Sequence, residues 1–204
     1  DLSWGPMEMT GQAVRIFGKV LVAVLSAILG AAGLVLAPAA IAGSVESAYT
    51  PLVLEKCDNI TPSEMAEHGA IFRCTGFGGT DVRVAEGDLR MFVSYGKRAA
   101  DQTAAGQTLP AFNSTGDRLE WRFKDGKAFA TILRFRWDGD GAKGSTLVVT
   151  KLGKTDSCHV AYVQAEKNPH ANRLAREVAD EDARRFSCKR DQPRTYGPDG
   201  KPID

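Results

Sequence analysis

From Arg118 to Ala165, apolar and polar residues alternate through four successive runs separated by turn residues. That pattern admits little besides an antiparallel meander. Arg118 to Phe123 sets Leu119, Trp121 and Phe123 on one face and Arg118, Glu120 and Arg122 on the other. Asp125-Gly126 is a two-residue hairpin signal, because both central positions of a type I′ turn need positive φ. The return run, Lys127 to Trp137, carries Phe129, Thr131, Leu133, Phe135 and Trp137 on one face. Asp138-Gly139-Asp140-Gly141 turns the chain into a β-branched strand, Ser145 to Leu152, and Gly153 to Asp156 turns it into Ser157 to Ala165.

The half before the meander is also strand-like. Tyr49 to Cys57, entered through Pro51, and Ala70 to Thr75 are expected to pair as a hairpin. The most distinctive stretch is Arg73 to Gly96. It joins a glycine-rich turn, Gly76-Phe77-Gly78-Gly79, to two alternating runs, Thr80 to Ala85 and Leu89 to Tyr95, which meet at an acidic corner, Glu86-Gly87-Asp88. Lys97 to Asp117 is polar and aperiodic, with a possible short helix over Arg98 to Ala105. Connections this long are functional or mobile more often than not.

After the meander, Asn168-Pro169 has the form of a helix N-cap followed by proline at the first helical position. Ala171, Leu174, Ala175, Val178, Ala179, Ala183 and Phe186 then fall on one helical face. A strand from Cys158 to Ala165 is about 23 Å long, and a helix over Pro169 to Phe186 about 26 Å. With three residues between them, the helix folds back along the strand and brings Cys188 to Cys158. The expected hairpin likewise brings Cys57 to Cys74. Both bridges presuppose an oxidising compartment; each is worth about 3–4 kcal/mol by loop entropy.

Export is indicated independently. Arg15 and Lys19 precede an apolar run, Val20 to Leu36, followed by Ala40-Ile41-Ala42, the arrangement of a signal peptide cleaved after Ala42. An uncleaved anchor over Val20 to Ala37 is the alternative. The reading divides the chain into residues 1–42 as signal peptide, 43–188 as one disulfide-braced domain and 189–204, rich in Pro, Gly and charge, as a disordered tail. The formal net charge of +1 gives no general reason to bind nucleic acid or an anionic membrane surface.

No catalytic or metal-binding signature is complete. His68, His159 and His170 lack ligand spacing, and the serines lack a nucleophile elbow. Asp138-Gly139-Asp140-Gly141 is half a calcium loop with Ala142 and Gly144 where further oxygen ligands belong, so it reads as a hairpin turn. Gly76 to Gly79 leads into a strand and not a helix, which excludes a phosphate loop. Phe77 on its tip is a candidate contact residue, and the expected binding surface comprises Phe77, Gly78, Gly79, Glu86, Asp88 and Arg90. Arg118, Arg122, Arg134 and Arg136 form a strip on one sheet face, either solvated or directed at an anionic envelope component. Glu86, Asp88 and Glu120 are the carboxylates available for a glycosidase-like pair.

The segments CTGFGG (Cys74–Gly79), VRVAEGDLRMFVSYG (Val82–Gly96), LEWR (Leu119–Arg122) and CHVAYV (Cys158–Val163) together resemble a family of small exported proteins of alphaproteobacteria with no established activity. The resemblance covers Tyr49 to Cys188 and implies a periplasmic single domain, in which Asn59-Ile60-Thr61 and Asn113-Ser114-Thr115 carry no glycan. It transfers no catalytic residue. The expected fold is α+β, an antiparallel sheet of about eight strands with one C-terminal helix packed on it and two disulfides. The expected function is a non-catalytic periplasmic or secreted binding or envelope-associated module. It needs no cofactor or metal, and its partner is an envelope protein or cell-wall component. The alternative is a hydrolase using Glu86, Asp88 or Glu120.

Overall fold

Each alternating run pairs where its turn directs it. The computed structural model describes residues 43–203, so the expected signal peptide and its cleavage after Ala42 lie outside the described residues. The strands are β1 (Val45–Pro51), β2 (Asp58–Asn59), β3 (Gly69–Thr75), β4 (Asp81–Gly87), β5 (Arg90–Tyr95), β6 (Phe112–Lys124), β7 (Lys127–Gly139), β8 (Ala142–Leu152) and β9 (Ser157–Gln164). Helix α1 (Ala171–Asp182) follows, then β10 (Arg194–Tyr196) and β11 (Pro202–Ile203).

The fold is mostly β with one helix, and the strands divide between two sheets. One runs β1-β6-β7-β8-β9-β10-β11; the other, antiparallel throughout, runs β2-β3-β4-β5. The larger sheet is mixed, because β10 lies parallel to β9. Its β6–β9 meander has two-residue turns at Asp125-Gly126 and Asp140-Gly141, with positive φ at all four residues, as type I′ turns require.

The larger sheet is covered on both faces. Leu119, Trp121, Leu133, Phe135 and Val148 meet Val82, Val84, Val93 and Tyr95 of the smaller sheet in one core. Ile132, Leu147, Val149 and Val163 meet Ala175, Val178 and Ala179 of α1 in the other. This explains Glu120 and Arg122. They do face away from Trp121, but that face lies under α1 and they are only 8% and 6% exposed. Glu120 Oε1 accepts from Ser47 Oγ at 2.6 Å and from Arg176 Nε at 2.7 Å, and Arg122 Nε donates to Asp180 Oδ1 at 2.9 Å. A register shift beside Arg122 and Phe123 turns Phe129 out of the face it was expected to share with Leu133 and into the helix-side core.

The disulfides are Cys57–Cys74 and Cys158–Cys188, as expected. Their settings differ from expectation in detail. The first strand ends at Pro51 instead of starting there, and it pairs with β6; only Asp58 and Asn59 pair with β3. Proline has no N–H with which to continue the ladder. The helix starts at Ala171, and Asn168 Oδ1 accepts from His170 N at 2.9 Å, so Asn168 caps a turn one step ahead of the helix.

Two segments expected to be loose are tied down. Gln102 bonds both backbone groups of Tyr95 and accepts from Ser157 Oγ, Thr103 bonds Asp156, and Gln107 Oε1 accepts from His159 N. Past Cys188, residues expected as a disordered tail supply β10 and β11, with Tyr196 buried in the helix-side core.

Candidate functional site

The residues singled out around Phe77 and Glu86 do not converge. Phe77, Gly78 and Gly79 precede β4, whereas Glu86 lies near its far end; a seven-residue strand separates the two groups by roughly 20 Å. Phe77 is 45% exposed, with its ring edge-on to Phe123 at a centroid distance of 4.6 Å. Next to it, Gly76 packs against the Trp121 ring, which a Cβ there would meet at 2.4 Å. Phe77 therefore closes the end of the inter-sheet core with one side and meets solvent with the other.

The three candidate carboxylates are each engaged. Glu86 Oε1 accepts from Leu89 N at 3.1 Å, Asp88 pairs with Arg90 across the turn, and Glu120 belongs to the network under α1. Glu86 and Asp88 lie on the smaller sheet and Glu120 on the larger one. Among the described residues, no three His, Cys, Asp or Glu side chains cluster to hold a metal ion.

The arginine strip separates in an informative way. Arg122 is buried against Asp180, and Arg118 lies over the Tyr49 ring at 4.1 Å. Arg134 and Arg136 stay together. They point from the same face of β7, roughly 7 Å apart along the strand, and among the described residues neither has a carboxylate within salt-bridge distance. Arg134 donates instead to Ser145 Oγ at 2.9 Å and to Asn172 Oδ1 at 3.3 Å; Arg136 donates to the Thr115 carbonyl at 3.4 Å. Partial burial lowers the Arg134 pKa, the neighbouring Arg136 charge lowers it further, and Glu166 opposes both.

Strand register builds the floor around them. Ser114, Arg136 and Ser145 stand in one cross-strand row, and Phe112, Asp138 and Lys143 in the next. The first turn of α1 reaches Arg134 through Asn172; the sheet beyond it is open, and Arg136 and Asp138 are exposed. The result is a hollow of about 690 Å³ over strands β6, β7 and β8. Its wall holds Arg134, Arg136 and Lys143 against Asp138 and Glu166, and Lys143 Nζ is paired with Asp138 at 2.6 Å. Arg134 and Arg136 also line a smaller hollow of about 290 Å³ with Arg118 and Arg176.

Leu89 closes one side of the larger hollow. The β4–β5 turn reaches the edge of β6 here, where Asn113 N donates to the Leu89 carbonyl at 2.9 Å. Of the expected binding surface Phe77, Gly78, Gly79, Glu86, Asp88 and Arg90, none lines this hollow; Asp88 and Arg90 flank Leu89 in the turn. Sequence reasoning isolated Arg134 and Arg136 but not Phe112, Ser145, Lys143 or Leu89, which reach the site only through cross-strand register and the turn. One signal for Leu89 was readable: a leucine follows the turn aspartate where the other two hairpins have glycine.

Among the described residues, no helix is long and apolar enough to cross a membrane. Comparison with protein families, curated proteins and solved structures finds no match to the chain, so the chemistry of this face rests on its own residues.

Proposed function

We propose that the protein is a non-catalytic, exported binding module that holds an anionic group of an envelope component on the open face of the larger sheet. One observation carries the reading: Arg134 and Arg136 stand side by side at a hollow with only neutral hydrogen-bond partners. Like charges so placed repel, and folding alone gives no return for the arrangement. An arriving carboxylate or phosphate relieves the repulsion and accepts the N–H groups that the neutral partners leave free, in the geometry that suits guanidinium best. Two disulfides suit an oxidising, extracytoplasmic setting such as the periplasm. The reading moves the contact surface from the Phe77 loop to the β7 arginines.

The test is an NMR titration with inorganic phosphate, following backbone amides and arginine Nε–H signals. Saturable shifts are expected at Arg134, Arg136 and Ser145, with Arg136→Gln weakening binding about tenfold, the loss of one charge-assisted contact. Shifts confined to the Phe77 loop, or none that saturate, would remove the assignment.

A further inference from the structure

Among the described residues, three two-residue hairpins connect strands, and all have positive φ at both central residues. Two use Asp-Gly, at Asp125-Gly126 and Asp140-Gly141. The third uses Asp88-Leu89, with φ of 53° and 58°. A γ-branched side chain in the left-handed region is strained where glycine is not. Leucine usually offsets such strain by burial, yet Leu89 is 63% exposed, more than any other large hydrophobic among the described residues. It gains little from folding and adds to the strain of its turn. What it does is present an apolar group to the hollow that contains Arg134 and Arg136.

Phe112 repeats the pattern across the same hollow. It is 52% exposed and stands in the row with Asp138 and Lys143, next to the row that holds Arg136. Trp137, between Arg136 and Asp138 on β7, leaves the strand on the opposite face, with Leu133 and Phe135. Its ring lies so close to Gly144 that a Cβ there would be 2.4 Å away, and its Nε1 donates to Thr146 Oγ1 at 3.1 Å, which fixes the ring. Beyond Trp137 a second hollow of about 720 Å³ shares Phe112, Trp137 and Asp138 with the first and is walled by Leu109, Pro110 and Tyr162. That second hollow opens on the inter-sheet side; on the arginine side the cations share their hollow with Leu89 and Phe112. Of the two carboxylates at this hollow, Asp138 is paired with Lys143, and Glu166 stands near Arg134.

Building on the anion reading above, we infer that the ligand is an amphiphilic anion: a phosphate or carboxylate head held by Arg134 and Arg136, and an aliphatic or aromatic tail laid over Leu89 and Phe112. The protein takes it as a single molecule, because the apolar side chains wall the same hollow as the arginines.

The experiment compares dodecyl phosphate below its micelle concentration, inorganic phosphate and dodecyl maltoside by isothermal titration calorimetry. Wild type, Leu89→Gly and Arg136→Gln are titrated in parallel. Dodecyl phosphate is expected to bind wild type at least about tenfold tighter than phosphate, the effect of taking one leucine-sized apolar contact out of water. Leu89→Gly suits its turn and keeps the fold; it is expected to erase most of that difference while leaving phosphate affinity unchanged. Equal affinity for the two phosphates, or a difference that survives Leu89→Gly, overturns the tail and leaves the anion site standing. Binding of dodecyl maltoside as tightly as dodecyl phosphate, with neither affected by Arg136→Gln, overturns the head and the anion reading with it. Sedimentation with phosphatidylglycerol vesicles without binding of monomeric dodecyl phosphate overturns single-molecule capture.

Discussion

His159 is almost fully buried between the larger sheet and the loop that follows β5, with Gln107 on its backbone N–H and Tyr162 Oη 3.0 Å from its Nδ1. Burial drives its pKa from 6.5 down to about 3. The unfolded chain therefore takes up a proton first as pH falls. The stability tied to a neutral His159 is whole above about pH 6.5 and is lost progressively down to about pH 3. The limiting slope is about 1.4 kcal/mol per pH unit. Urea melts at pH 7 and pH 4.5 should show wild type losing more stability than His159→Gln, which has no such proton to take up. Equal losses would mean that this imidazole is not the group excluded from charging. The same desolvation acts on Arg134, but only in part; its guanidinium keeps its charge and faces the hollow.

At the scale of elements, the return of α1 along β9 is held by Cys158–Cys188, across a separation of 30 residues. Replacing both cysteines by serine should cost about 3–4 kcal/mol, read as a lower urea midpoint with a steeper denaturant slope, because the unfolded chain expands once the cross-link is gone. The pair was legible because a strand and a helix of similar length joined by a short connection leave no other place for their outer ends. That the helix packs on the sheet was legible, but not which strand residues it would cover. Glu120 and Arg122 obey strand alternation, so a one-sided sheet would leave them in water. Only with α1 in place do they become a buried network with Asp180 and Arg176. The hairpin turns divide similarly. Asp125-Gly126 and Asp140-Gly141 announce their turn type, whereas Asp88-Leu89 adopts the same backbone against the preference of leucine.

For the whole molecule, the C-terminal segment matters more than its composition suggests. Residues 194–196 pair with β9, and Tyr196 is buried against the helix-side core. A chain ending after Cys188 should lose about 2–3 kcal/mol from the exposure of that core. It should also aggregate more readily, because the edge of β9 is then open; urea melts and light scattering would register both effects. Pro, Gly and charge in that segment signalled only that it could not form a helix or a long strand. Three paired residues and one aromatic were enough to dock it.

What the sequence by itself determined was every interaction that depends on near neighbours along the chain. Strand alternation, type I′ Asp-Gly turns, the helical face and both disulfide pairings follow from local spacing and connection length. The tertiary structure decided which polar residues were to be buried and which were to meet. Arg118, Arg122, Arg134 and Arg136 look alike in an alternating strand. Packing sends Arg122 under α1, places Arg118 over Tyr49, and leaves Arg134 and Arg136 at an open hollow. Leu89 and Phe112 reach that hollow through a turn and a cross-strand row. Leucine after the turn aspartate marks the turn as unusual, but that the two meet the arginines is a contact between residues far apart in sequence, for which the chain order carries no local signal.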